Sequence, residues 1–273
     1  MDNYFVIGDI HGRLDMMVSI LRDWKPDKER LVLLGDYIDC GPDAYSVVRE
    51  VKNLVDKYGA IALKGNHEEY FVDMMLRKDS TVNHKKTWKQ SGRDETFKSF
   101  LKNNYHDSLQ FDEARTLLLS SHASSIEFMN NLPAYHETDS FIMAHAGVNL
   151  SVDDWTHDVT AMKMGNRSDF FRTANRTGKI IVFGHSRTGV IRGMDKGVKK
   201  STLYNMPFLD DRIWIDQSGT KIGLDGGIAY GGLLHGIHIG EDTEHIKATS
   251  INQNSDMKHS YFDLDREFKR LIV

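Results

Sequence analysis

Gly8-Asp9-Ile10-His11-Gly12 follows the apolar run Tyr4-Phe5-Val6-Ile7 close to the start of the chain. An Asp and a His two positions apart at the end of a buried strand project to the same side of an extended backbone. The flanking glycines allow a sharp turn and leave room beside whatever the two side chains hold. A carboxylate and an imidazole aimed at one point form part of a metal site, and the remaining ligands are to be sought downstream.

Outward from that stretch the pattern repeats. Leu14, Met17, Val18, Leu21 and Trp24 recur at helical spacing, and Pro26 closes the segment. Leu31-Val32-Leu33-Leu34 is a continuous apolar run of the kind buried on both faces of a parallel sheet, and it ends in Gly35-Asp36-Tyr37-Ile38-Asp39-Cys40-Gly41. A second helix follows, with Val47, Val48, Val51, Leu54 and Val55 on its inner side. Ile61-Ala62-Leu63 then runs into Lys64-Gly65-Asn66-His67-Glu68. Strand, helix, strand, helix, strand with short connections predicts parallel strands joined by right-handed crossovers. Their polar clusters are expected at the carboxyl edge, where open α/β sheets place their sites.

From about Arg77 to Leu132 the chain is polar and helix-prone, which predicts a helical insertion in a single domain spanning 1–273. Two further strands are expected beyond it: Phe141-Ile142-Met143-Ala144 ends in His145-Ala146-Gly147, and Ile180-Ile181-Val182-Phe183 ends in Gly184-His185. Arg212 to Ile215, Lys221 to Leu224 and Gly232 to Ile239 read as short strands in an antiparallel part of a second sheet. The tail from Gly240 carries little signal.

Composition narrows the chemistry. The 35 basic and 39 acidic residues leave a net charge of -4, which offers no field for nucleic acid. One cysteine, Cys40, allows no intramolecular disulfide. No apolar run approaches the roughly 20 residues that span a bilayer. With the first strand expected at Tyr4, no room is left for a signal peptide, and a cytoplasmic protein is expected. Five strand ends carry carboxylates, imidazoles and one amide, with no thiolate. That donor mixture favours manganese, iron or zinc, and its size suits two divalent ions sharing a carboxylate and a water about 3.5–4 Å apart. Such a pair fits in-line attack on a phosphate ester.

The five blocks in this order resemble the signature of the phosphoprotein phosphatase branch of calcineurin-like metallophosphoesterases, in its bacterial and phage-lambda form. The likeness runs to about Leu234, with weaker matches at Trp88 to Phe100 and at Asn166-Arg167. It implies an α-β-β-α sandwich of two sheets. It also implies that Asp9 and His11 bind a first metal, that Asp36 bridges, and that Asn66, His145 and His185 bind a second. His67 would be the general acid, held and charged by Asp39. Arg167 would grip the phosphoryl oxygens. The likeness further implies a serine/threonine phosphatase acting on phosphoproteins or small phosphoesters, with manganese first among the metals. Glu68 and Asp39 point away from the related symmetrical diadenosine tetraphosphatases, which remain an alternative.

One position departs from the family pattern. Cys40 stands where the second block usually carries a phosphate-clamping arginine, which leaves a catalytically weak metal-binding signalling module as a further alternative. Arg13, Arg93 and Arg187 are the residues that could compensate, with Arg13 placed first because it directly follows a ligand loop. Cys40 itself reads as an inert small side chain.

Overall fold

In the computed structural model, which describes residues 3–77, 84–90, 92–164, 170–203, 206, 209–240 and 245–263, the buried side chains of β1 (Tyr4–Ile7) alternate between two cores. Phe5 and Ile7 face one, Tyr4 and Val6 the other, as the two-residue period of a strand dictates. α1 (Leu14–Leu21) and α2 (Ala44–Tyr58) are the crossovers that place β2 (Arg30–Leu33) and β3 (Ile61–Ala62) parallel to β1. Leu31 and Leu33 join the core of Phe5 and Ile7, while Val32 joins that of Val6. The first core lies beneath the helices. α3 (Asn66–Leu76) supplies Phe71 and Met75 to it. α4 (His84–Thr87), α5 (Arg93–Leu101), α6 (Phe111–Ser121) and α7 (Ala123–Asn130) follow, and they contribute residues such as Phe97, Leu118 and Ile126.

β4 (Tyr135–Glu137) and β5 (Phe141–Ala144) begin a second sheet. α8 (Val159–Met164) leads to β6 (Ile180–Phe183), and α9 (Thr188–Asp195) and α10 (Lys200–Leu203) lead to β7 (Trp214–Ile215) and β8 (Lys221–Gly223). This sheet runs in the order β4-β5-β6-β8-β7, with β5, β6 and β8 parallel. Phe141, Met143, Val182 and Ile222 pack between the sheets against Tyr4, Val6 and Val32, and Ile142, Ile181 and Phe183 face outward into a third core with Met162 and Ile191. The layers are therefore α-β-β-α, as the resemblance implied.

Two expectations about the later chain are corrected. β10 (Leu233–Ile239) does not join the second sheet but pairs antiparallel with β1, assisted by β9 (Asp225–Gly226). The tail taken as uninformative holds β11 (His245–Ile251) and β12 (Met257–Asp263), a hairpin that extends the first sheet into the order β12-β11-β10-β1-β2-β3. In β11 only Ile246, Ala248 and Ile251 are apolar and buried, and polar side chains alternate with them. A strand with one covered face lacks the continuous apolar run that marks β1 or β2.

Candidate metal centre

The carboxyl ends of the parallel strands meet at one place, and the backbone fastens them together. Ile10 and His11 donate their N–H groups to the Asp36 carbonyl at 3.0 and 2.8 Å, so the loops after β1 and β2 form one unit. Gly184 N–H does the same to the His145 carbonyl at 2.8 Å, joining the loops after β5 and β6. Further bonds cross between the sheets. His145 Nδ1 donates to Leu34 O at 3.1 Å, and His185 N–H donates to the Asp9 carboxylate at 2.9 Å. Asp9, His11, Asp36, Asn66, His67, His145 and His185 are thereby brought together from five strand ends.

The backbone here is unusual. His11, Asp36, Asp39, Cys40 and His185 have φ between 44° and 67°. A left-handed conformation in a non-glycine residue costs on the order of 1–3 kcal/mol and persists only where the surroundings impose it. The cross-loop bonds just described hold His11, Asp36 and His185 in it.

Asp36 sits at the middle. Its Oδ2 lies 3.7 Å from His11 Nε2, 3.8 Å from His67 Nε2 and 3.3 Å from His145 Nε2. Asn66 Oδ1 lies 2.9 Å from His145 Nε2 and 2.7 Å from His185 Nδ1. Among the described residues, donor atoms within 4.8 Å of one another fall into two groups, one of His11, Asp36 and His67 and one of Asp36, His145 and His185. Asp36 belongs to both.

The electrostatics agree with a cation site. Burial, and then the neighbouring His67, lower His11 to about 4; burial, and then His145, lower His185 to about 3. Both rings are thus neutral, the form that binds a metal. Nδ1 of His11 donates to Ile38 O at 3.0 Å, which leaves Nε2 aimed at Asp36. Burial works to raise Asp36, yet His145 and His67 hold its carboxyl well below the usual range. Asp9 is pushed well up by burial and then by Asp225, and Asp225 itself rises to about 6 through burial, with Asp36 adding to it. Three carboxylates gathered in a buried space call for positive charge. A Cβ at Gly65 would collide with Asp36 Oδ1, and one at Gly184 with Asp9 Oδ1, so the glycines make the room these carboxylates occupy. The donor set fits a pair of divalent ions.

His67 and Asp39 stand beside that set. His67 Nδ1 is 2.6 Å from Asp39 Oδ2, and Thr96 donates its hydroxyl to Asp39 Oδ1 at 2.6 Å. Burial opposes charge on His67, but Asp36 and Asp39 outweigh it and raise the ring to about 9. Glu68, completely buried, accepts N–H groups from Asp36, Tyr37, Ile38 and Gly65 at 2.9, 2.8, 3.3 and 3.0 Å. It ties the first turn of α3 to the Asp36 loop. Burial, and then Asp39, push the Cys40 thiol up to about 12, which removes it as a nucleophile.

A pocket of about 580 Å³ opens over the cluster, with Arg93, Asp225 and Tyr230 in its wall. Arg13 is not in that wall. Its guanidinium is paired with Asp15 at 2.9 and 2.7 Å and with Gln253, and it lines a neighbouring cavity. A carboxylate two residues away claims the charge that a ligand loop was expected to present. Arg187 is buried in a pair with Asp211. Arg167 lies outside the described residues. Sequence reasoning missed Asp225 and Thr96. Asp225 follows the apolar stretch Ile222-Gly223-Leu224, as Asp9 and Asp36 follow theirs, but its glycine comes after it and not before. Thr96 had no such signal, because only the docking of α5 brings it to Asp39.

Among the described residues no helix is long and apolar enough to cross a membrane. The chain is 34% identical over 92 residues to serine/threonine-protein phosphatase 1 of Salmonella typhimurium, covering 33% of this chain and 38% of that protein. It is 36% identical over 66 residues to the symmetrical bis(5'-nucleosyl)-tetraphosphatase of Escherichia coli, covering 23% of each. These matches span well under half of either relative. A cold-active protein-tyrosine phosphatase of a psychrophilic Shewanella superposes with a TM-score of 0.52 at 13% identity, over 95% of this chain and 80% of that one, which speaks for the fold. The family model of calcineurin-like phosphoesterases matches residues 3–195. That stretch, more than half of the chain and carrying Asp9, His11, Asp36, Asn66, His67, His145 and His185, makes the protein a member of the calcineurin-like phosphoesterase family.

Proposed function

We propose that the chain is a phosphomonoesterase with a dinuclear metal centre, acting on phosphoserine or phosphothreonine in proteins. The observation that carries this reading is the chain Thr96–Asp39–His67 beside the donor cluster, because it equips one imidazole for proton delivery while the others are left to bind metal. Asp9, His11 and Asp36 would hold one ion, and Asp36, Asn66, His145 and His185 the other. When bound, such a pair polarises a phosphoryl oxygen and acidifies a water near neutral pH. Manganese is the first candidate and iron or zinc the alternatives, because the donors are oxygens and imidazoles without thiolate.

His67 has the remaining task. Its Nδ1 is occupied by Asp39, so Nε2 is the atom that can hand a proton to the departing alkoxide. Asp39 fixes the ring and favours its charged form, and Thr96 fixes Asp39 in turn. The similarity to the Salmonella phosphatase supports a phosphoprotein substrate. The similarity to the Escherichia coli tetraphosphatase favours a second reading, hydrolysis of a dinucleotide polyphosphate, and a direct comparison of phosphoserine peptides with diadenosine tetraphosphate separates the two. We place the enzyme in the cytoplasm, in keeping with a single, half-buried cysteine.

The test is leaving-group dependence. His67→Asn is expected to slow hydrolysis of a phosphoserine peptide by on the order of 10²–10⁴-fold, and that of para-nitrophenyl phosphate far less, because nitrophenolate departs as a stable anion. Metal content is expected to stay near wild type. Equal losses on both substrates would assign His67 to phosphate binding. Loss of an ion would make it a ligand, a role its 3.8 Å approach to Asp36 also permits.

A further inference from the structure

Among the described residues, Arg93 is the one in the wall of the pocket over the metal cluster with a permanent positive charge. It opens α5, directly after Gly92, and its position relative to the cluster is fixed from both sides. Cys40 N–H donates to the Gly92 carbonyl at 3.0 Å. One turn further on, Thr96 both accepts the Asp39 N–H at 2.8 Å and donates to the Asp39 carboxylate. The first turn of α5 is therefore fastened to the same loop that carries Asp36. The contact is close: a Cβ at Gly92 would lie 2.9 Å from Cys40 Sγ.

The guanidinium is held but not neutralised. It lies 5.3 Å from the Tyr70 ring centroid, and Nη1 reaches the Thr87 carbonyl at 3.4 Å. Among the described residues no carboxylate is paired with it. The adjacent acids Asp94 and Glu95 are both engaged by Lys98 at 2.8 and 2.7 Å. Among the described residues, the two other arginines near the site differ on this point, since Arg13 is taken by Asp15 and Gln253, and Arg187 by Asp211. A planar cation with unused N–H groups, in a wall shared with His67 and Asn66, suits the oxygens of a phosphoryl group.

We propose that Arg93, mounted on α5 through Gly92 and Thr96, grips the phosphoryl oxygens of the substrate. This rests on the phosphatase reading given above and names a further binding residue for it. Cys40 has no cationic side chain to offer there, and Arg93 brings the charge from a different element. Its removal leaves every proposed metal donor in place.

The experiment uses the full manganese-loaded chain as wild type, Arg93→Ala and Arg93→Lys. Metal content and thermal unfolding are compared first, then kcat and KM on para-nitrophenyl phosphate, then binding of inorganic phosphate by titration calorimetry. Arg93→Ala is expected to lose on the order of 10²-fold in kcat/KM and to bind phosphate about tenfold more weakly, with metal content unchanged. Arg93→Lys is expected to recover part of both, because a point charge cannot bind in bidentate fashion. An alanine variant within twofold of wild type in both measurements overturns the proposal. If wild type turns over no phosphomonoester, the proposed function fails, and phosphate binding alone then decides: weaker binding by Arg93→Ala supports the role of Arg93, and equal binding ends it. Should the alanine variant lose metal or fold, Arg93→Gln, which keeps the stem against Tyr70, carries the same two comparisons.

Discussion

Glu68 shows what one side chain can do for a site it does not line. Its two oxygens accept four backbone N–H groups, three of them from the strained Asp36–Ile38 loop. Burial, and then Asp36, push it up to about 7, while the charge of His67 and then the Tyr37 N–H favour its ionised form. A glutamine of the same shape would turn an NH2 group toward those donors. Glu68→Gln is expected to destabilise the metal-free protein by about 1–3 kcal/mol, the cost of leaving buried polar groups unpaired. Because the loop holds Asp36 in a left-handed conformation, manganese affinity is expected to fall as well. Denaturant unfolding and metal titration of the variant check both. Unchanged values would make Glu68 a spectator. In the sequence Glu68 was legible only as a family mark; its physical work depends on a loop some thirty residues away.

At the scale of elements, the parallel strands were legible and the antiparallel edge was not. β1, β2, β5 and β6 are buried on both faces and read as unbroken apolar runs ending in polar residues. β10 is interrupted by His235 and His238 and nothing local says which sheet it joins, and β11 alternates too weakly to stand out. The consequence is visible at His235. It is buried on β10, with Nε2 2.7 Å from the Asp211 carbonyl and Nδ1 2.8 Å from the Ser250 hydroxyl of β11. In the sequence it is an ordinary histidine; in the fold it joins two strands to the loop before β7. Burial lowers it to about 4 from an ordinary 6.5. As pH falls, the unfolded chain therefore takes up this proton first, and stability is lost between about 6.5 and 4, with no further loss from this group below. The full effect is on the order of 3 kcal/mol. His235→Gln removes it, so the stability difference between wild type and variant is expected to shrink as pH falls through that window. Denaturant midpoints measured at pH 7, 5.5 and 4.5 check this. Parallel pH profiles would contradict it.

For the whole molecule, the decisive fact is that neither sheet holds a complete site. The first contributes Asp9, His11, Asp36 and Asn66, and the second contributes His145 and His185. The apolar layer of Val6, Val32, Met143 and Val182 presses their carboxyl ends together. That convergence was legible because five strand ends with metal-binding residues in one chain have no simpler explanation. The arginines were not legible, because charge on a long side chain is directed by its partners: Asp15 diverts Arg13, Asp211 buries Arg187, and Tyr70 leaves Arg93 at the pocket. Both groups of donors share Asp36, which makes the two proposed ions stand or fall together. Elemental analysis of wild type and Asp36→Asn, each dialysed against the same manganese buffer and compared by thermal unfolding, tests it most directly. About two ions per chain are expected in wild type, and the loss of both together in a folded Asp36→Asn. One ion fully retained in the variant would contradict it.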